Sequence, residues 1–361
     1  MSKLYIGFMS GTSLDGVDAS LVKTDGDLEF EALCNTHIAY PKNIKSQIKD
    51  LTRNMDALPI LEKEITHYHI KAAQDLLEQK NLSSKDICAL GFHGQTIIHK
   101  PEIGYTMQIG NPHMLAKNVN IDVVHDFRRS DLALGGQGAP LVPIFHKYLM
   151  QNQVQPAVVL NIGGIANLTY IDKKTLIAFD TGTGNALIDD AMRQYFNHEF
   201  DKNGKIASIG NVDHEMVNRA MSDEYFSQKY PKSLDRDHFK FLIKLLSNHP
   251  AEDIISTLTY ITSATIAHGI SSLPKTPEVI TLCGGGAKNI QMISWLRSIL
   301  LSKNIKCKIE DISVIDNHDT DYIESQAFAY LAARFYNNLP SAFPNTTGAR
   351  KANICGCLVK Y

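Results

Sequence analysis

The sequence predicts an α/β fold built as two similar halves. Three observations carry the prediction. Short apolar strands alternate with stretches of helical periodicity, the pattern of an α/β architecture. A strand, a glycine-rich turn and a second strand open the chain, and the same layout starts again at Ala157 with little residue identity. The 361 residues suffice for about two domains, with enough chain to bury a core without staples.

The elements follow in order. Residues 4–9 read as an apolar strand and residues 10–16 as a turn of glycine and small polar residues. Residues 17–23 read as a second strand, closed by the hairpin turn Asp25-Gly26-Asp27. Leu61, Ile65, Tyr68, Ala72 and Leu76 recur at helical spacing over 60–77. Residues 87–92 form a short strand followed by His93-Gly94-Gln95-Thr96, and 120–124 another apolar run. Phe127-Arg128-Arg129-Ser130-Asp131 then leads into the loop Gly135-Gly136-Gln137-Gly138-Ala139-Pro140. A polar stretch at 151–155 marks the expected boundary, giving domains 1–150 and 151–361. In the second half, strands are expected over 157–162, 165–171 and 176–179, with turns at Gly163-Gly164 and Asp172-Lys173-Lys174. Asp180-Thr181-Gly182-Thr183-Gly184-Asn185 follows, then a helix over 186–196. Ile254, Leu258, Ile261, Thr265 and Ile270 mark a long helix, and 279–282 a buried strand ending in a glycine turn. Helices over 290–301 and 322–335 complete the chain.

Composition excludes several classes. Lys and Arg number 36 against 38 Asp and Glu, a net charge of −2, with no basic block to grip nucleic acid. No run approaches ~18 apolar residues, so no membrane span is expected. The opening Met1-Ser2-Lys3-Leu4-Tyr5-Ile6-Gly7 lacks the pattern of a signal peptide. Six scattered cysteines without CxxC spacing read as reduced thiols of a cytoplasmic protein. Cys355-Gly356-Cys357 is too close for a routine structural zinc pair.

Four glycine-rich turns each follow an apolar strand: 11–16, 161–167, 180–185 and 283–289. Glycine lets backbone N–H groups converge on phosphate oxygens, although a tight turn alone also requires it. Several strand-end loops meeting one ligand is what an α/β site requires. Neither GxxxxGK[ST] nor GxGxxG after the first strand is present, so a P-loop is excluded and a Rossmann site disfavoured. Asp180, at a strand end, can serve as a general base or as a helix N-cap. Asp15 can orient a hydroxyl or close its turn. Arg128-Arg129 can clasp a carboxylate or form an exposed pair. Glu324 can bind substrate hydroxyls or complement its helix dipole. His93 and His99 can hydrogen-bond or pack; as a metal pair they lack a third ligand.

Six strings together identify a resemblance. They are 9–18 (MSGTSLDGVD), Gly94-Gln95-Thr96, Asp126-Phe127-Arg128, 135–143 (GGQGAPLVP), 161–167 (NIGGIAN) and Phe179-Asp180-Thr181-Gly182. With Thr347-Gly348-Ala349 near the C-terminus, the chain resembles the anhydro-N-acetylmuramic acid kinase family over essentially its whole length. The resemblance implies the two-domain fold of actin, Hsp70 and sugar kinases, with an ATP cleft between the halves. It implies hydrolytic opening of 1,6-anhydro-N-acetylmuramic acid and phosphorylation of its 6-hydroxyl by ATP, in peptidoglycan recycling.

By the same resemblance, Asp180 matches the catalytic base. Gly11, Thr12, Ser13, Leu14, Asp15, Gly16, Val17 and Asp18 match one phosphate loop, and Gly163 and Gly164 a second. Gly284, Gly285 and Gly286 match the adenosine loop, and Arg129 and Glu324 the sugar contacts. Mg²⁺ is expected with ATP, without dedicated protein ligands, and a homodimer is expected. Two departures stand out: Thr183 replaces the usual proline after Phe-Asp-Thr-Gly, and Leu234-Asp235 replaces Thr-Gly after Pro231-Lys232-Ser233. The first is expected to loosen the turn at Asp180, although Gly182 and Gly184 remain, and the second to affect contacts on the sugar side more than the chemistry. The alternatives are a kinase for another anhydro sugar such as levoglucosan, or an ATP-driven binding protein of the same fold.

Overall fold

A computed structural model describes residues 1–11, 14–315 and 320–361. The chain forms two compact units. One combines Met1–Tyr148 with Tyr322–Tyr361, and the other is Leu149–Asp321. The chain passes from the first unit to the second at Tyr148–Leu149, beside the polar stretch at 151–155. The last 40 residues return to the first unit, because the helix they carry packs on that unit's central strands.

The strands are β1 Lys3–Ser10, β2 Gly16–Thr24, β3 Phe30–Ala39, β4 Ile87–Lys100, β5 Tyr105–Ile109 and β6 Val123–His125. They continue with β7 Ala157–Ile162, β8 Ile165–Asp172, β9 Thr175–Thr183, β10 Val279–Cys283, β11 Lys308–Asp311 and β12 Cys357–Val359. The first sheet runs β12-β6-β4-β1-β2-β3, with β5 paired to β4, and the second β11-β10-β7-β8-β9. Both share one plan. Three antiparallel strands in succession (β1-β2-β3, β7-β8-β9) are extended by two parallel strands (β4-β6, β10-β11). The layout that repeats along the sequence is thus a repeat of topology.

In the first unit, alternation along β1 decides what covers each face. Ile6 and Phe8 join a core with Leu61, Ile65 and Leu76 of the helix Leu58–Gln79 and Leu115 of the helix Pro112–Val119. Gly7, between them, faces the alanine-rich helix Ile323–Tyr336. A Cβ on Gly7 would fall 2.0 Å from the Ser325 carbonyl oxygen, and one on Gly91 2.0 Å from that of Phe328. Two glycines on neighbouring strands let this helix lie directly on the sheet. Gly7→Ala is expected to cost about 3 kcal/mol, read by denaturant unfolding, because backbone rather than a side-chain end must move.

In the second unit β10, Val-Ile-Thr-Leu-Cys, is buried throughout, as suits a parallel strand covered on both faces. The helix Ala251–Ser271 is also buried along most of its length despite its many hydroxyls. Thr262 and Ser263 donate to the Leu258 and Thr259 carbonyls one turn back, which satisfies polar groups that would otherwise be costly to bury.

Two strands run further than expected. β4 continues through His93-Gly94-Gln95 because its second half pairs with β5. β9 continues through Asp180 to Thr183, paired with β8. Asn167 opposes Asp180 and Ala166 opposes Gly182, so Thr181 is the extra residue of a bulge.

Candidate active site

Asp180 sits inside β9 at that bulge, which re-aims its side chain. The helix Ala186–Phe196 is capped at Asn185, so the N-cap role is not the one Asp180 fills. Its carboxylate Oδ2 accepts from the Leu234 backbone N–H at 2.8 Å. Burial pushes its pKa up to about 7, and the Leu234 hydrogen bond opposes the rise. A carboxyl that titrates near neutrality suits a general base. Gly182 is required beside it: its φ is +153°, and a Cβ would meet Thr265 Cβ at 2.5 Å. Thr183 lies buried in the strand, and its hydroxyl pairs with that of Thr262 at 3.0 Å.

The second unit gathers its glycine turns at the start of the helix Ala186–Phe196. The Gly163 and Gly164 carbonyls accept from Asn185 N–H at 2.8 Å and Ala186 N–H at 3.1 Å. Asn185 Nδ2 donates to the Ile162 carbonyl at 3.2 Å. A Cβ on Gly284 would meet Asn161 Oδ1 at 2.4 Å, one on Gly285 Asn185 Nδ2 at 3.9 Å, and one on Gly286 the same atom at 3.0 Å. The structure therefore brings Gly163, Gly164, Gly284, Gly285 and Gly286 together around Asn161 and Asn185. Backbone N–H groups near a helix N-terminus suit an anion.

In the first unit, the expected phosphate turn joins β1 to β2. Thr12 and Ser13 lie outside the described residues. The Gly11 carbonyl accepts from Leu14 N–H and Gln95 Nε2, both at 3.2 Å. Leu14 has φ +62° and is buried, as is Val17, so these two can offer a ligand only backbone. Gly16, Val17 and Asp18 already belong to β2. Asp15 projects into solvent, 3.7 Å from Lys45, and Asp18 meets His37 Nδ1 at 2.7 Å. Beneath the turn, His69 Nδ1 bonds the Ile65 carbonyl at 2.9 Å, leaving Nε2 to accept from Ser10 Oγ at 3.1 Å. Tyr40 donates to the same hydroxyl at 3.3 Å. Burial lowers the His69 pKa to about 4, so the ring stays neutral.

The expected sugar-side arginine, Arg129, is exposed and paired with Asp126 at 3.0 Å. It lines a cavity of about 30 Å³, room for about one water, together with His93, Gly94 and Asp126. Arg128 turns inward. Its Nε and Nη2 meet His93 Nε2 at 3.0 and 2.9 Å, and Nη1 donates to the Gly138 carbonyl at 2.7 Å. Burial lowers its pKa to about 10, while Glu324 and Asp131 favour the charge. Glu324, in the first turn of the helix Ile323–Tyr336, is raised by burial and by Asp18 and lowered by Arg128. Asp131 organises the glycine loop: Oδ2 accepts from Gly138 N–H at 2.7 Å and Oδ1 from Thr347 Oγ1 at 2.7 Å.

Among the described residues no three His, Cys, Asp or Glu gather as a metal site. His93 is committed to Arg128 and the Gly94 carbonyl, and His99 Nδ1 meets Thr106 Oγ1 at 3.0 Å. Sequence pattern does not single out Arg128 from its neighbour, nor His93 as its acceptor, nor Tyr225, Lys232 and Asp189. Burial lifts the Asp189 carboxyl to about 7 as well. The strand–Arg-Arg–glycine-loop order flags the region, but which arginine turns inward depends on the local backbone.

A family model described as anhydro-N-acetylmuramic acid kinase matches residues 3–361. Anhydro-N-acetylmuramic acid kinase of Hydrogenovibrio crunogenus is 41% identical over 368 residues, covering 99% of this chain and 98% of that one. The protein of the same name from Zymomonas mobilis is 40% identical, with 96% of each covered. Among solved structures, a ROK family glucokinase from Streptomyces griseus with glucose and AMPPNP is 12% identical. It has a TM-score of 0.43 and covers 91% of this chain and 98% of that one. That likeness is too distant to bear on the reading. With two relatives so similar over their full length, the chain belongs to the anhydro-N-acetylmuramic acid kinase family, phosphotransferases that act on a hydroxyl group.

Proposed function

We propose that this protein opens 1,6-anhydro-N-acetylmuramic acid with water and phosphorylates the freed 6-oxygen from ATP. The products are N-acetylmuramic acid 6-phosphate and ADP. Asp180 carries the proposal: a desolvated carboxyl with a pKa near 7, on a bulged strand beside a glycine turn. Asp180 takes a proton from water as the water oxygen bonds to the anomeric carbon. The bond from that carbon to the bridging oxygen breaks, and that oxygen takes the γ-phosphoryl group as ADP leaves. Phosphoryl transfer asks for positioning and electrostatics rather than covalent help, which backbone N–H groups supply.

In this reading Gly11–Asp18 and Gly163-Gly164 hold the phosphates, and Gly284, Gly285 and Gly286 the adenosine. Arg129, on the rim of the small cavity, and Glu324, beside Arg128, contact the sugar. The donor set fits Mg²⁺ arriving on the nucleotide, since the Asp18 carboxylate is partly exposed and so open to a hydrated ion. When bound, Mg²⁺ offsets phosphate charge. Among the described residues no helix is long and apolar enough to cross a membrane. A cytoplasmic homodimer acting on small molecules in peptidoglycan recycling completes the proposal.

The test is ATP turnover with anhydro-N-acetylmuramic acid, with 1,6-anhydroglucose and with no sugar, the products being weighed by mass spectrometry. A product heavier by one water and one phosphoryl group is expected from the first only. Sugar-independent turnover, or turnover with anhydroglucose alone, would falsify the proposal.

A further inference from the structure

We propose that residues 230–234, anchored through Tyr225 and Lys232, form a positioning strap that presents one carboxylate oxygen of Asp180, Oδ1, to the reacting water. The proposal rests on the reading of Asp180 as the base. Three hydrogen bonds tie this region to Asp180. The Asp180 N–H donates to the Lys232 carbonyl at 3.0 Å. Its carbonyl accepts from the Tyr225 hydroxyl at 2.5 Å. Its Oδ2 accepts from the Leu234 N–H at 2.8 Å. The backbone is thus gripped on both sides and one carboxylate oxygen is engaged, which fixes the orientation of the other.

The strap has its own anchors. Lys232 Nζ donates to the Tyr225 carbonyl at 2.8 Å and lies 4.4 Å above the Tyr225 ring. Its charge is held inside this contact, and burial lowers its pKa. Tyr230 stacks on Phe179, the residue before Asp180, with ring centroids 5.4 Å apart and planes at 14°. Tyr225 and Lys232 are therefore positioning residues, acting through Asp180. The contact at 234 is made by backbone, so leucine serves there as well as another residue.

The titratable groups on the elements packed against β9 are Tyr170 and Asp172 of β8, Glu252, Asp253, Tyr260 and His268 of the helix Ala251–Ser271, Tyr230 and Lys232 of the strap, and its anchor Tyr225. The Asp180 carboxyl is displaced upward by burial and downward by Leu234. Tyr225→Phe removes a hydroxyl but keeps the covering ring. It slackens the Leu234 hydrogen bond while leaving the burial, so Asp180 titrates at higher pH.

The experiment compares wild type, Tyr225→Phe, Lys232→Met and Lys232→Arg in the full chain. Tyr225→Phe and Lys232→Met are expected to lower kcat about tenfold or more, with KM for sugar and ATP unchanged. The acidic limb of the kcat–pH profile moves to higher pH, and Lys232→Arg, which keeps a donor, recovers part of both. Carbon-13 titration of the Asp180 carboxyl in the unliganded protein moves the same way. A lowered melting temperature with an unmoved limb and titration overturns the strap, as does loss confined to KM. If Asp180→Asn remains active, the base assignment fails and the strap's role falls with it; an unmoved limb and titration with Asp180→Asn inactive overturns the strap alone.

Discussion

Asp180→Asn is expected to lower kcat by about 10³-fold while the protein stays folded. The amide keeps the shape and can still accept from the Leu234 N–H, but it cannot take a proton from water. Stability should move the other way. The native carboxyl has a pKa near 7 against an ordinary value of 3.8, so between those values the folded chain binds more protons than the unfolded one. That carboxyl therefore reduces stability as pH rises from 3.8, and its full cost is felt above about 7. The asparagine variant should melt higher than wild type at pH 8, by an amount on the order of a few kcal/mol at most, and the gain should shrink toward pH 5. Thermal melts at the two pH values, paired with single-turnover rates, read both effects. A variant that turns over at the wild-type rate identifies another base.

Arg128→Met should be among the most destabilising changes in the first unit, costing about 3–5 kcal/mol. The guanidinium serves His93 Nε2 and the Gly138 carbonyl, and it offsets the charge of Glu324 and Asp131. Without it those two desolvated carboxyls lose their countercharge, and both already have pKa values raised by burial. Raised carboxyl pKa values mean that stability falls as pH increases, so the loss should be larger at pH 8 than at pH 5. Arg128→Lys should recover only part, because one ammonium cannot reach His93 and Gly138 with the same fork. Urea unfolding at both pH values measures this. Equal losses at the two pH values would show that the carboxyls do not depend on Arg128.

Much of this is legible in the sequence because glycine and strand patterns are local signals. The helix at Ala186–Phe196 begins and ends where its spacing places it, and the β1–β2 and β7–β8 hairpins follow their turns. By local pattern the strand bearing Asp180 ends at Phe179, because Gly182 and Gly184 look like breakers. Pairing with β8 overrides that preference and the bulge accommodates it. Arg128 and Arg129 are indistinguishable by composition. Only the fold sends one to His93 and the other to solvent. The partnership of Asp180 with Leu234 spans 54 residues and runs through a backbone donor, which leaves no trace in residue identity.

The placement of the last helix has a consequence for synthesis. Ser20 on β2 bonds Ser325 on the covering helix, 305 residues later, at 2.6 Å. At ribosomal speed that interval is roughly 15–60 s. The first unit is begun first and completed last, and meanwhile the sheet face around Gly7 and Gly91 waits without its cover. Leu149–Asp321, contiguous in sequence, can close its own core before then. A nascent chain stalled before residue 322 should therefore protect the later-made unit from protease and leave the earlier-made one open to chaperones.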